Sequence, residues 1–501
     1  MTLDEIPLLV GSSLHNDLLC HESFNDLEKQ TNLVLKTIKN FFGKKDFYVG
    51  DDISAINRHK IEAKINGYDT LTFEEAIEYL KKLYIDNAIA FHNPNYVAHL
   101  NCPVVLPAIL AEIIATTINT AVETWDQSTS ATFIEQEVIK WICSEFNFPI
   151  TSDGVFTSGG SQSNFMALLM ARDDYAFKHF GVNIKQQGWF NEVSKFKIFC
   201  SDKAHFSVKK NAALLGMGYD AVVPVKTDHK MRMDPNALVL AIEKVKQEGD
   251  IPIAVVATMG TTDFGSFDPL TEISKISNDY QMWLHVDGAY GGCFVLTDTH
   301  KSYFKSIDSA DSITIDFHKT FFQPVSCSAY LVKDRKNFQY VSYYADYLNP
   351  LENRDEERPN LIEKSTQTTR RFDALKVWFT LKTLGKTTIS KYLEKVHYLA
   401  ESVYHKIKDN PHFEVALKPE LSTIVFRYKS LNVNENKVHD RVNLFIKNKL
   451  YKQGKASIAS TKLDGNIYLK FTLLNPNNTE ENLFEILKMI EQKGEQYKSI
   501  N

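Results

Sequence analysis

Lys319 stands in the stretch DSITIDFHKTFFQPVSCSAY, residues 311–330. Ile313 and Ile315 alternate with Ser312, Thr314 and Asp316 as on a strand, until His318 and Lys319 interrupt and Phe321 and Phe322 follow. Lysine is among the residues least often buried. A solvated loop amine is the ordinary reading of Lys319. An amine enclosed for its nucleophilic chemistry with a carbonyl is the other.

Four more stretches pose the same choice. In TSGGSQSN (157–164) Gly160, Ser161 and Gln162 open a helix, where free N–H groups can hold a phosphate or merely make a capped turn. In SDKAHFSVKK, His205 follows the run FKIFC, as a ring to stack on a planar ligand or as a loop histidine. In ATMGTTDFGSFDPL, Thr258, Gly260, Thr261 and Thr262 end a strand, with small polar groups that fit a cofactor edge or a turn. In WLHVDGAYGG, Asp287 follows a buried-looking run and therefore needs a cationic partner. Ala289 and Gly291–Gly292 beside it leave room for something flat. No His/Asp/Glu set at ligand spacing lies nearby, so no metal is expected.

The elements that must carry these residues alternate. From about 150 to 330, strand-like GVFT, FKIFCS, DAVVPV, IPIAVVAT and MWLHVDGAY are separated by helical SQSNFMALLMARDDYAFK, DPNALVLAIEKVKQEG and PLTEISKISNDYQ. The second of those helices has Asp234 as N-cap, Pro235 at its first position and Gly249 past its end. Strands alternating with helices predict an α/β domain with a mainly parallel sheet, which binds ligands at the carboxyl ends of its strands. Every motif above sits at such an end. Residues 1–95 read as a polar helical segment, with Thr72 and Glu75 forming a capping box. The breaker-rich FHNPNYVAHLNCPVVLP holds three prolines and cannot be one regular element. Residues 96–385 are expected to form the large domain and 386–501 a small α+β domain. The latter opens on a helix with Ile389, Tyr392, Leu393, Val396, Leu399, Val403 and Ile407 on one face.

Bulk properties exclude several classes. The chain has 501 residues, 44% hydrophobic and 24% charged, with a formal net charge of −5. No basic block suggests a nucleic-acid or membrane partner. The start, MTLDEIPLLV, carries Asp4 and Glu5 where an export signal would be basic. Six scattered cysteines form no CxxC or Cys/His cluster, which fits a reducing cytoplasm.

Together the five motifs supply a phosphate cradle, a stacking imidazole, a buried carboxylate and a strand-end lysine. Pyridoxal 5′-phosphate requires these four things: an amine for its aldehyde, a carboxylate to keep its pyridine nitrogen protonated, a stacking partner and an anion site.

In this order TSGGSQSN, SDKAH, GTTDFGSFDPL, HVDGAYGG and DFHKTFFQPVSCSA resemble the group II pyridoxal-phosphate amino-acid decarboxylases, over about residues 60–430. The motifs are most similar to those of the L-2,4-diaminobutyrate and siderophore-type lysine enzymes. The resemblance implies fold type I, the aspartate-aminotransferase-like fold, and a homodimer with its active site at the interface. It implies that Lys319 binds the cofactor aldehyde, Asp287 pairs with the pyridine nitrogen, His205 stacks on the ring and Ala289 lies against the other face. It further places Gly160, Ser161 and Asp316 round the phosphate and His318 beside the lysine, to which the functional readings of the strand ends add Gln162 at the phosphate and Thr258 at the cofactor edge. His99 and Asn101, with His92, would line the substrate pocket. Tyr347, 28 residues after Lys319, matches a loop tyrosine that protonates the substrate carbon, and Arg370–Arg371–Phe372 matches a basic pair leading into the next helix. The expected reaction is decarboxylation of an L-amino acid, with diaminobutyrate ahead of lysine or ornithine. Glutamate, aspartate or an aromatic amino acid is the alternative within the family, and an aminotransferase or carbon–carbon lyase lies outside it. A distal ammonium would need a partner, for which Asp263 or the acidic tract Glu352, Asp355, Glu356 and Glu357 is expected.

Overall fold

A computed structural model of the chain describes residues 18–500 except 45–46, 48–52, 66, 68–69, 354, 356 and 431–434. The side chains of 53–57, 353 and 498–500 are also outside it. The export-signal reading of the first residues and Glu356 of the acidic tract therefore lie outside the described residues.

The chain divides into two compact units, residues 1–96 with 448–457, and residues 97–447 with 458–501. The smaller unit holds helices Phe24–Phe42 and Phe73–Leu83. The second starts on the expected capping box, with the Thr72 hydroxyl accepting from Glu75 N at 3.3 Å and Glu75 Oε2 accepting from Thr72 N at 2.9 Å.

The larger unit is built on a seven-stranded sheet. Its strands are β1 (Asp153–Thr157), β2 (Phe196–Ser201), β3 (Val222–Val225), β4 (Ile251–Thr258), β5 (Trp283–Gly288), β6 (Ser312–Asp316) and β7 (Ser328–Val332), in the order β1-β7-β6-β5-β4-β2-β3. The pairs from β6 through β3 are parallel, and β7 is antiparallel to both β1 and β6. Two reversals leave β1 pointing the same way as β6. Thr157, Ser201, Thr258, Asp287 and Asp316 thus all reach one edge of the sheet. This is the mainly parallel α/β sheet that the alternation predicted.

Helices cover the sheet. The Gly160–Phe180 helix is buried round most of its circumference, with Ser163, Asn164, Met166, Ala167, Leu168, Met170 and Ala171 in one stretch interrupted only at Phe165 and Leu169. Asp234 caps the Pro235–Gln247 helix by accepting from Asn236 N and Ala237 N. Gly249 follows it at φ +82°.

Two features were not anticipated. β7 is a five-residue strand with every side chain buried, too short for either a helical or an alternating pattern to show. The helix expected from about residue 387 instead runs Ala374–Ile407, with a break at Gly385 (φ 70°) that joins two helical pieces end to end. Its predicted face holds: Ile389, Leu393, Val396, Leu399, Val403 and Ile407 are buried. Beyond it, β8 (Phe413–Val415), β9 (Thr423–Tyr428), β10 (Ala459–Leu463) and β11 (Asn466–Thr472) form an antiparallel sheet in the order β10-β11-β9-β8.

Candidate active site

Sheet register sets the site. Thr258 pairs with Asp287 and Asp287 with Thr314, while Asp316 and Thr157 both pair with Ser328. The strand ends open on a cavity of about 340 Å³ lined by Gly160, Ser161, Gln162, His205, Thr258, Asp287, Ala289, Asp316, His318 and Lys319, among others. Ten residues named from five separate stretches of sequence therefore share one space.

Asp287 lies at the end of β5 and is 5% exposed. Its Oδ2 accepts from Asn164 Nδ2 at 2.9 Å and its Oδ1 from Ala289 N at 3.1 Å. Asn164 in turn is fixed by its neighbours. Its Oδ1 accepts from Thr314 Oγ1 at 2.7 Å and His285 Nε2 at 3.0 Å, and its Nδ2 also donates to Ser207 Oγ at 3.0 Å. His285 is fully buried, and burial pushes its pKa down to about 4. As a neutral ring donating from Nε2, it accepts at Nδ1 from Ser312 Oγ at 2.9 Å, and Ser312 accepts from Trp283 Nε1 at 2.9 Å.

His205 takes its orientation from the same network. Its Nδ1 accepts from Ser207 Oγ at 2.8 Å and Ser207 N at 3.3 Å, so its proton is on Nε2. Burial holds the ring's pKa below its ordinary value, against the pull of Asp287. Asn164, Ser207, His285 and Thr314 were not singled out in the sequence. The available signals were local: Asn164 falls one helical turn after Gly160, and His285 is two residues from Asp287 on the same strand face.

Lys319 follows β6 on the short Phe317–Thr320 helix. Its Nζ lies 2.8 Å from Asp316 Oδ2, and Asp316 Oδ1 accepts from Ser328 Oγ at 2.7 Å. His318 Nε2 is 3.8 Å from the same Asp316 oxygen, while its Nδ1 accepts from Cys327 N at 3.2 Å. Gln162 turns its side chain on the protein: Oε1 accepts from Ser158 N at 2.7 Å, and Nε2 donates to Thr366 Oγ1 at 3.2 Å.

Pyridoxal 5′-phosphate fits what these residues offer. Thr258 Oγ1 faces inward, buried, with no hydrogen-bond partner among the described residues. At the start of the Gly160–Phe180 helix the Gln162 and Ser163 amides donate to Gly159 O at 2.9 and 3.2 Å, which leaves those of Gly160 and Ser161 without an acceptor among the described residues. A Cβ at residue 160 would lie 3.1 Å from both Asp316 carboxylate oxygens and 3.2 Å from Ala289 Cβ, so glycine keeps this cradle open. Gly260 is required for a different reason: it sits at φ +94°, and a Cβ there would strike Leu421 Cδ1 at 2.6 Å.

His99, Asn101 and Tyr347 are not among the cavity's lining residues. Burial and the nearby Lys470 and Lys447 ammonium groups hold the His99 pKa down. Tyr347 is 89% exposed and lines a separate depression with Tyr343, Asn349 and Thr366. Arg370 forms a buried pair with Glu135 at 2.9 Å, and Arg371 pairs with Glu112. Asp263 does not offer an unpaired carboxylate: Lys470 Nζ reaches it at 2.9 Å and Thr461 Oγ1 donates to it at 2.8 Å. Asp355 pairs with Arg358 at 2.8 Å, and Glu352 and Glu357 are exposed.

A family model described as the pyridoxal-dependent decarboxylase conserved domain matches residues 69–429. The L-2,4-diaminobutyrate decarboxylase of Acinetobacter baumannii is 33% identical over 490 residues, covering 96% of each chain. The enzyme of that name from Rhizobium meliloti (strain 1021) is 39% identical over 410 residues, covering 81% of this chain and 79% of its own. Among solved structures, the glutamate decarboxylase domain of diaminobutyrate-pyruvate transaminase and L-2,4-diaminobutyrate decarboxylase from Vibrio parahaemolyticus superposes with a TM-score of 0.86 at 33% identity. It covers 96% of this chain and 97% of that one. The strand-end motifs fall inside the residues that the family model matches. The chain belongs to the pyridoxal-phosphate-dependent amino-acid decarboxylases of fold type I, a carboxy-lyase family whose cofactor its strand-end cavity fits.

Proposed function

We propose that this enzyme decarboxylates L-2,4-diaminobutyrate to 1,3-diaminopropane and carbon dioxide. The observation that carries the substrate is the 33–39% identity, over most of the chain, to two curated diaminobutyrate decarboxylases. The convergence of Lys319, Asp287 and His205 on one cavity supports the site.

When bound, pyridoxal 5′-phosphate supplies an aldehyde that captures the substrate amine and a protonated ring that takes up the electron pair left as carbon dioxide departs. Lys319 provides the amine that holds the cofactor between turnovers. Asp287 holds the proton on the pyridine nitrogen, and Asn164 and the Ala289 amide fix that carboxylate. His205 offers its ring face for stacking, with its proton kept on Nε2. The Gly160 and Ser161 amides take the phosphate, with Thr258 at the cofactor edge.

Tyr347 returns a proton to the substrate Cα. Its exposure means that the loop carrying it must close, or that it serves a second subunit's cavity. A homodimer with the site at its interface meets this need. The Leu106–Ile118 helix supports that assembly. It buries Ala108, Ala111 and Ala115 but leaves Leu106, Leu110, Ile113, Ile114 and Ile118 exposed. Because Asp263 is already paired, an acceptor for the second ammonium must come from the loop carboxylates or from the second subunit; His99 and Asn101 remain pocket residues of that completed site. Residues 96–385 then form the cofactor-bearing domain and 386–501 the small one, divided at the Gly385 break. A cytoplasmic location fits the widely scattered cysteines.

The test is an amine-product assay. Diaminobutyrate is expected to yield diaminopropane with kcat/KM at least ~10-fold above that for lysine, ornithine or glutamate. A clear preference for glutamate would overturn the substrate and leave the decarboxylase reading standing.

A further inference from the structure

Asp316 is an odd neighbour for a phosphate. Its carboxylate is 2% exposed and abuts the Gly160 cradle. Among the described residues no backbone amide donates to it, and its partners are the Ser328 hydroxyl on Oδ1 and the Lys319 ammonium on Oδ2. The other titratable groups near it are His318, with Nε2 at 3.8 Å, the buried Cys293 and Cys327 thiols, and His205 and Asp287, which line the same cavity. Of all these, the Lys319 ammonium lies nearest, with Nζ 2.8 Å from Oδ2. The same Lys319 must give up that charge when its nitrogen is bonded to the cofactor.

We infer that Asp316 is the proton partner of Lys319, a positioning residue that stabilises the lysine whenever its amine is free, and not a phosphate ligand. This rests on Lys319 being the residue that holds the cofactor. On loading, one ammonium proton passes from Nζ to Asp316 Oδ2 across 2.8 Å. The neutral amine then forms a carbon–nitrogen double bond with the aldehyde carbon, and the aldehyde oxygen leaves as water with the two remaining hydrogens. Asp316 is then a neutral acid beside the phosphate. On exchange, a neutral substrate amine forms its own double bond to that carbon. Its two hydrogens end on Nζ as the bond to Lys319 breaks. The Asp316 proton returns to Nζ, and the ion pair re-forms. The pair thus pulls the exchange toward the substrate, and it keeps one negative charge away from the phosphate while the cofactor is held by the lysine.

A phosphate ligand and a proton partner predict opposite effects of removal. The holoenzyme is titrated with n-propylamine, which can take the cofactor from Lys319 but has no carboxylate to lose, and the cofactor absorbance is followed. In Asp316→Asn and Asp316→Ala the half-saturating amine concentration is expected to rise ~10-fold or more, because the freed lysine has lost its partner. The cofactor stays on the lysine in the absence of amine, with full borohydride labelling of Lys319. Asp316→Glu is expected to restore at least part of the parent behaviour, which a general loss of packing would not allow. An unchanged half-saturation in both variants overturns the inference. So does loss of cofactor from the variants without amine, which would assign Asp316 to holding the phosphate. Labelling of the parent enzyme at another lysine would instead overturn the functional reading, so the two failures are distinct.

Discussion

Two cavities of similar size lie in the larger unit, and both are lined by histidines and carboxylates. One, of about 340 Å³, is the strand-end site. The other, of about 300 Å³, is lined by His300, Tyr303, His397, Glu401, Lys418 and Glu420. In the second, the protein answers its own groups. His300 donates from Nε2 to Glu420 O at 3.1 Å and meets Thr297 Oγ1 at 2.8 Å through Nδ1. His397 Nδ1 donates to Leu421 O at 3.0 Å, Glu420 accepts from Phe267 N at 2.9 Å, and Glu401 pairs with Lys418 at 2.8 Å. None of its lining side chains has a buried polar atom without a partner among the described residues. In the first, Thr258 Oγ1 has no partner among the described residues and the Lys319 side chain stays 22% exposed. Buried polar chemistry by itself marks scaffold as readily as function. What separates the two is hydrogen-bonding capacity left over, aimed at a shared space.

Breaking the first cavity should therefore cost catalysis, and breaking the second should cost only stability. The largest effect is expected for Lys319→Ala, whose steady-state turnover should fall by at least ~10³-fold while the melting temperature moves little. Asp287→Asn keeps the size and loses the charge. If the pair supplies about 3–5 kcal/mol of charge stabilisation, kcat falls ~10²–10⁴-fold, with a smaller loss of cofactor affinity by equilibrium titration. Asn164→Ala removes one hydrogen bond to an ionised carboxylate, worth about 1.5–3 kcal/mol, and should lower kcat ~10- to 10²-fold with cofactor still bound.

The second cavity sharpens the contrast through pH. Burial and the neighbouring His397 push the His300 pKa down to about 3, against about 6.5 in the unfolded chain. Between those values the unfolded state binds the extra proton, so stability is present above pH ~6.5 and is lost as pH falls. From pH 6.5 to 5 the loss is about 2 kcal/mol, 1.36 kcal/mol for each unit. His300→Gln should flatten this part of the denaturation-midpoint profile and leave kcat/KM near the parent value. His285 contributes in the same direction from behind the active site, with its pKa near 4. A large kcat/KM loss in His300→Gln would erase the distinction between the cavities.

The site was legible in the sequence to the extent that its parts are local. Gly160, His205, Thr258, Asp287 and Lys319 each follow a strand or open a helix, and a parallel sheet brings such ends to one edge whatever the strand order. The Asn164 network was not legible, because it depends on β5 and β6 being neighbours against the Gly160–Phe180 helix, which no single stretch encodes. The pairing of Asp263 with Lys470 was hidden for the same reason, since these residues lie 207 positions apart. β7 escaped notice because a short, wholly buried antiparallel strand has neither periodicity. Tyr347 shows the reverse case. Its motif was readable, but one chain alone leaves it exposed, outside the cavity it is expected to serve.

The central claim is that the Lys319 amine carries the cofactor in this cavity. Reduction of the holoenzyme with borohydride, followed by proteolysis and mass mapping of the pyridoxyl group, tests it directly. The account predicts a stoichiometric label on Lys319 alone, and a label on any other lysine, or none, would contradict it.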